Sequence, residues 1–352
     1  MKALVYHGNR DLRLESVPDP KAGHDEVLIH VDYCGICATD VEDYLYGPLF
    51  ISGDKPNPIT GKKIPLISGH EITGSIQEVG RDVHNLAVGD RVIINGILSC
   101  KVCYWCKRGE VTQCPSIAAV GFNIVGGLAD FISWPATNVI RLPYNVSSEQ
   151  AALAEPAAVA LHAIRRSRLQ LGETTAIIGV GTVGMLAMQA AKSIGGKVFA
   201  IDKRKMSLDM AKTLGADAVI NGEETDAGQA LLDLTDGVGP DVVIDAAGGK
   251  NTPEMAVKWA RRGGRVVLVA LYIQKPEFNF NGVVSTEVEI LGSLAYQQRD
   301  MEEVVRMLAN DSLKTMPLIS ERIRLDEVID KGFAHMLAPF KDVFRILVSP
   351  ND

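Results

Sequence analysis

Residues 174–191 read TTAIIGVGTVGMLAMQAA, and this run decides the fold. It begins as an apolar strand, predicted over 176–178, turns through glycines, and continues as an apolar helix, predicted over 183–193. The turn Gly179-Val180-Gly181-Thr182-Val183-Gly184 has the spacing G-x-G-x-x-G. Between a strand and a helix, such glycines let the backbone approach a pyrophosphate. The helix start supplies N–H groups and the positive end of a dipole. A second strand is expected over 198–201, and Asp202 closes it. A carboxylate there, about twenty residues past the turn, would hold the ribose hydroxyls of an adenosine and repel a 2′-phosphate, which favours NAD over NADP. Lys203, Arg204 and Lys205 follow and pull the other way. A glycine turn that only packs a helix on a sheet would explain the glycines but not the placed aspartate. The run is also uncharged for about 18 residues, near the lower limit for a membrane span. Its glycines and the charge that soon follows favour a buried strand, turn and helix.

Outward from this run the two sides differ. Toward the C-terminus strands and helices alternate: a helix over 207–214, strands over 242–245, 266–269 and 288–291. That is the pattern of βαβ units and a parallel sheet covered on both faces. Toward the N-terminus short strands dominate, over 2–6, 12–17, 27–33 and 72–79, with Pro and Gly turns between them. Residues 44–69 are rich in Pro and Gly and read as a long loop. Ser147 and Gln150 fit a capping box at a helix start. The last sixty or so residues mix a helix over 302–308 with a closing strand over 344–348. The expected class is α/β with a β-rich domain over 1–152, a doubly wound domain over 153–291 and a return of 292–352 to the first domain.

Composition narrows the function. At 352 residues, 47% hydrophobic and 22% charged, the chain has room for two cores and no disordered character. A net charge of −7 argues against nucleic acid and anionic membrane as partners. The N-terminal residues show no secretory signal, because charge interrupts before a long apolar stretch forms. All six cysteines fall in the first third. Cys100, Cys103, Cys106 and Cys114, spaced C-x2-C-x2-C-x7-C in a lobe over about 95–115, suit the closed tetrahedral shell of a structural zinc better than disulfides. A reducing cytoplasm follows. A zinc ribbon for nucleic acid would want a basic face, which is missing. A second set is dispersed: Cys37, His70, Glu71 and Glu155. Cys34 with Cys37 also forms a C-x2-C that a redox pair would show.

Gly35-Ile36-Cys37-Ala38-Thr39-Asp40, Gly69-His70-Glu71, Gly89-Asp90-Arg91-Val92, the four-cysteine lobe, Glu155-Pro156 and the glycine turn follow one another in the order of the zinc-containing medium-chain dehydrogenases. The chain resembles that family over its whole length. Within it the resemblance is to the 2,3-butanediol dehydrogenases and the sorbitol-type polyol dehydrogenases, carried by Glu155 in its Glu-Pro-Ala-Ala-Val-Ala-Leu-His-Ala context and by the insert from Tyr46 to Pro65.

The resemblance implies a GroES-like catalytic domain, a Rossmann domain and an active site in the cleft between them. It implies a catalytic zinc on Cys37 and His70, with Glu71 or Glu155 as the third protein ligand. Asp40 would orient His70, Thr39 would accept the substrate proton, and Cys34 would pack as a small buried residue. Gly179, Gly181, Thr182, Val183, Gly184, Asp202, Lys203 and Arg204 would form the NAD site. The implied reaction is oxidation of a small secondary alcohol or diol to its ketone, with zinc as Lewis acid and the nicotinamide as hydride acceptor. The leading substrate is 2,3-butanediol. Polyols and threonine-type amino alcohols are alternatives, as is an inactive NAD-binding protein of the same fold. Beside the substrate, the expected partner is a second copy of the chain, in a homodimer or homotetramer. One position departs from the family: Glu42 stands where relatives carry a proton-relaying His. Two roles stay open for it: a partly desolvated relay base whose pKa is raised by burial, or, on a loop that faces solvent, a bystander, with the second preferred.

Overall fold

A computed structural model describes residues 1–338 and 342–351. The chain forms two compact units. One comprises Met1–Glu155, Gln297–Ala309 and Thr315–Asp352, the other Pro156–Tyr296 and Asn310–Lys314.

The first unit is built on the strand Glu26–Ile36, where Val27, Ile29 and Val31 alternate inward and are fully buried. This strand pairs antiparallel with Glu71–Val79, with Phe131–Pro135 and with the closing strand Arg345–Ser349. Arg91–Ile94 and Val139–Arg141 extend the sheet beyond Glu71–Val79, and Ile319–Arg324 extends it beyond the closing strand. Trp134 is buried beneath, and its indole N–H donates to the Asn95 carbonyl at 3.1 Å. The register has one consequence for chemistry. Gly35 faces Glu71 on one side and Leu347 on the other, so residues from three distant segments meet at one strand end.

The strands expected over 2–6, 12–17, 27–33 and 72–79 are present as Lys2–Gly8, Asp11–Ser16, Glu26–Ile36 and Glu71–Val79. The expected loop over 44–69 begins only after Tyr46. A helix, Ala38–Tyr46, leads into it, started where the Asp40 carboxylate accepts the Cys37 N–H at 2.8 Å. The Ser147 and Gln150 box is formed, each side chain bonding the other's backbone N–H at 3.1 and 2.9 Å. It opens only the short turn Ser148–Ala151, and a separate helix, Ala154–Ser167, follows. Pro156 explains the break: its ring would clash with the carbonyl four residues back, but it fits a first helical turn.

The second unit holds a six-stranded parallel sheet. Its strands lie side by side in the order Ala218–Asn221, Lys197–Asp202, Thr174–Ile178, Val242–Asp245, Arg265–Leu268 and Glu289–Gly292. The order reverses between Thr174–Ile178 and Val242–Asp245, which is where doubly wound sheets bind ligands at the carboxyl ends of their strands. The helices Thr182–Ser193, Lys205–Thr213, Ala227–Leu234 and Thr252–Trp259 connect these strands. The uncharged run over 174–191 is a strand followed by a helix. Among the described residues no helix is long and apolar enough to cross a membrane.

Gly184 shows how tightly the glycine turn is packed. A Cβ there would overlap the Gly179 carbonyl oxygen, a backbone atom with no freedom to give way. Gly184→Ala is therefore expected to destabilise the protein by about 1–3 kcal/mol, read as a lowered midpoint in urea. An unchanged midpoint would contradict the packing described.

Candidate active site and structural metal centre

Glu71 is fully buried and its carboxylate lies across the face of Gly35. Any Cβ at position 35 would overlap the Glu71 Oε2, so only glycine leaves the space. Arg345, the residue that opens the closing strand, brings a guanidinium nitrogen 3.0 Å from Glu71 Oε1 and donates to the Ile36 carbonyl at 2.5 Å. The ion pair has both partners buried, where losing either would strand the other's charge. Beside it, Asp40 joins two candidate ligands. One oxygen accepts the Cys37 N–H, and the other stands 3.3 Å from His70 Nδ1, close but not aligned as a hydrogen bond. The other ring nitrogen, Nε2, points toward Glu71 Oε1 at 4.0 Å.

One donor atom from each of Cys37, His70 and Glu71 lies within 4.8 Å of the others. Both Glu71 oxygens are buried without an aligned hydrogen-bond partner, and so is the Thr39 hydroxyl. Polar atoms buried in this state are costly unless something meets them. A thiol, an imidazole and a carboxylate converging with unsatisfied lone pairs fit a zinc ion. The charges are mutually dependent. Burial alone would depress His70, yet Asp40 and Cys37 outweigh it and raise its pKa well above the usual value. Burial raises Glu71, while Arg345 and His70 oppose the rise. Glu155 is pushed up to about 7, first by burial and then by Glu71, with His70 opposing. Glu155 is thus near enough to feel this cluster, but its oxygens are not within the close set that Glu71 joins.

The four-cysteine lobe is closed at its base by the two-stranded pairing of Ile97–Leu98 with Ala118–Ala119. Its four sulfurs also lie within 4.8 Å of one another. Backbone N–H groups point at them: Cys103 N–H at Cys100 Sγ, Cys106 N–H at Cys103 Sγ and Cys100 N–H at Cys114 Sγ, at 3.4 to 3.5 Å. The N–H groups of Val102 and Cys103 draw the Cys100 thiol down to about 6, toward the thiolate a metal requires. Cys34 is a member of neither donor set, although it lies beside Glu71. It is fully buried, and burial raises its thiol far above the ordinary range, so it packs as an inert small residue.

In the second unit, Gly179 adopts the left-handed region at φ +82°, and Gly181 caps the 12-residue helix Thr182–Ser193 without a side chain. A Cβ on Gly181 would meet only Arg204 Nη2, at 3.9 Å, so the turn is open on the side a pyrophosphate would approach. The cradle fits the phosphates of a dinucleotide. Asp202 accepts the N–H groups of Val180 at 3.0 Å and Arg204 at 2.9 Å, and the Arg204 Nε lies 3.4 Å from it. Lys203 is exposed and Lys205 pairs with Asp209 at 2.6 Å, so Arg204 is the cation beside both the glycine turn and Asp202.

Two residues of the first site escaped sequence reading. Arg345 had one signal, an arginine opening an otherwise apolar strand. Phe122, whose ring lies 4.7 Å from that of His70, had none. The expectation for Glu42 needs correction. It sits in the helix Ala38–Tyr46 rather than on a loop, half-buried and one turn beyond Thr39, so the two share a helix face. Solvent exposure is not a ground for calling it a bystander.

The Glu71–Arg345 pair makes a direct prediction. Arg345→Leu should cost about 3–5 kcal/mol of unfolding free energy, and adding Glu71→Gln should recover most of it. Denaturation of the single and double variants measures this, and a single variant as stable as the parent would contradict the pairing.

Comparison with known proteins agrees with this architecture. Residues 23–144 match the alcohol dehydrogenase GroES-like domain, and residues 182–310 match the zinc-binding dehydrogenase domain. The chain is 32% identical to (R,R)-butanediol dehydrogenase of Bacillus subtilis over the whole of both chains. It is 33% identical to sorbitol dehydrogenase of the same organism, covering all of this chain and 98% of that one. The crystal structure of 2R,3R-butanediol dehydrogenase from Bacillus subtilis superposes with a TM-score of 0.92 at 31% identity, over 99% of each chain. The chain belongs to the zinc-containing medium-chain alcohol dehydrogenases, enzymes that work with zinc and a nicotinamide adenine dinucleotide.

Proposed function

We propose that this enzyme interconverts a vicinal diol with short apolar ends, 2,3-butanediol, and its hydroxyketone, using NAD. The observation that carries the zinc chemistry is the convergence of Cys37, His70 and Glu71, with neither carboxylate oxygen of Glu71 in an aligned hydrogen bond. The substrate assignment rests on likeness to butanediol dehydrogenases over the full chain. Zinc held there supplies Lewis-acid polarisation of the alcohol oxygen, and the nicotinamide supplies the hydride acceptor.

The chain's own groups then have assigned tasks. Cys37 and His70 hold the metal. Glu71 is the third protein ligand, and Glu155, with its raised pKa, is a neighbouring carboxyl able to carry a proton near neutral pH. Asp40 keeps His70 Nδ1 facing away from the metal, which fixes the ring's orientation. Arg345 limits the reach of Glu71. The Thr39 hydroxyl, buried and without a partner, takes up the proton that the substrate hydroxyl releases. Cys100, Cys103, Cys106 and Cys114 hold a structural zinc. Gly179, Gly181, Thr182, Val183 and Gly184 seat the pyrophosphate, and Asp202 the adenosine ribose. The described cysteines are all unpaired, which fits a reducing cytoplasm.

A polyol substrate is the competing reading, because sorbitol dehydrogenase is as similar as the butanediol enzyme. A panel of 2,3-butanediol, sorbitol, xylitol and threonine with NAD and NADP separates the two. The expectation is the highest kcat/KM on butanediol, and a preference for NAD of at least about tenfold, narrowed by Asp202→Ser. Sorbitol or xylitol outperforming butanediol would move the enzyme to the polyol branch, and a parent preference for NADP would give Arg204 the deciding role.

A further inference from the structure

Asp43 carries a carboxylate that the chemistry above does not use, yet it is only 1% exposed. It lies in the helix Ala38–Tyr46 and reaches past the helix end. Its Oδ1 accepts the N–H groups of Leu49 at 2.6 Å, Phe50 at 3.2 Å and Ile51 at 3.4 Å, and its Oδ2 also accepts that of Phe50, at 3.3 Å. Its carbonyl oxygen takes the Gly47 N–H at 2.8 Å and the Tyr6 hydroxyl at 3.0 Å. Three successive N–H groups converging on one carboxylate are charge-assisted bonds, and they fix a backbone that has no helix or strand of its own.

The segment so fixed is aimed at the zinc site. The Phe50 ring stands edge-on to Phe122, with centroids 6.2 Å apart, and Phe122 lies against His70. A second set of bonds confirms the placement: Ser52 N–H donates to the Phe122 carbonyl at 2.8 Å, and the Asn123 side chain donates to the Phe50 carbonyl at 3.3 Å and to Ser52 Oγ at 3.0 Å. Phe50 and Phe122 are each half-buried.

We propose that Asp43 is a positioning residue for substrate selection: by holding residues 49–51 it sets Phe50 and Phe122 as an apolar wall beside His70, which favours alcohols with methyl ends over those with further hydroxyls. A methyl against this wall loses water favourably, whereas a hydroxyl there would be desolvated with no partner. The assignment deepens the diol reading and rests on it for the substrate. The anchoring itself can fail or succeed separately.

The test uses the zinc-loaded enzyme. Asp43→Ala should raise KM for 2,3-butanediol about tenfold or more, with a much smaller change in kcat, unaltered zinc content and unaltered KM for NAD. Asp43→Asn, which keeps an acceptor oxygen, should recover much of the loss. Phe50→Ala leaves the anchor intact and should lower the butanediol-to-xylitol ratio of kcat/KM by about tenfold. If Asp43→Ala does not fold, Phe50→Ala decides alone. A ratio unchanged in Phe50→Ala, or a folded Asp43→Ala with unchanged KM, overturns the proposal. A parent enzyme that prefers xylitol overturns the diol reading and the selectivity, while a KM shift in Asp43→Ala for the better substrate would still establish the anchor.

Discussion

One buried carboxylate organises the catalytic unit. Glu71 is fully buried, lies over a glycine that cannot be anything larger, and is opposed by a guanidinium from the far end of the chain. Each condition demands another part of the fold. The Gly35–Glu71 register requires the central antiparallel pair, and the position of Arg345 requires the closing strand to enter on the opposite side of that same strand. Replacing such a pair with apolar residues often costs a protein nothing. The pair here fits a use instead: neither Glu71 oxygen makes an aligned hydrogen bond, and the carboxylate lies beside Cys37 and His70.

The two candidate metal sets differ in how they are held, and the difference fits the tasks proposed for them. Four cysteines in a short lobe need only local turns, with backbone N–H groups aimed at the sulfurs. The dispersed set takes its donors from a strand end, a loop and a second strand, and the Phe122 ring lies against His70. A closed shell suits structure and an open one suits chemistry. The glycine turn of the second unit has the same economy. One glycine takes a positive φ, another leaves open space, and a third permits close packing of helix on strand.

Much of this was legible in the sequence, for stated reasons. The glycine turn, the cysteine lobe and the capping box are local, so spacing reveals them. The parallel sheet showed through its more apolar strands, while Ala218–Asn221 and the helices Ala227–Leu234 and Thr252–Trp259 were too mixed in composition to announce themselves. The helix Ala38–Tyr46 was missed because its apolar positions are few, and that error misplaced Glu42 on a loop. Arg345 and Phe122 were illegible as site residues, because what makes them matter is a partner brought close only by tertiary pairing. Asp43 was hidden in the same way: its use lies in the backbone N–H groups of a segment with no periodicity of its own.

The central claim is that a zinc ion seated on Cys37, His70 and Glu71 performs the alcohol chemistry, separately from the zinc of the cysteine lobe. Metal analysis of His70→Ala, alongside its turnover and NADH binding, addresses it most directly. The account predicts a fall from about two zinc equivalents per chain to about one, a loss of turnover of about a thousandfold or more, and NADH binding close to that of the parent. A variant that keeps both zinc ions, or one that loses a zinc yet turns over at the parent's rate, would contradict it.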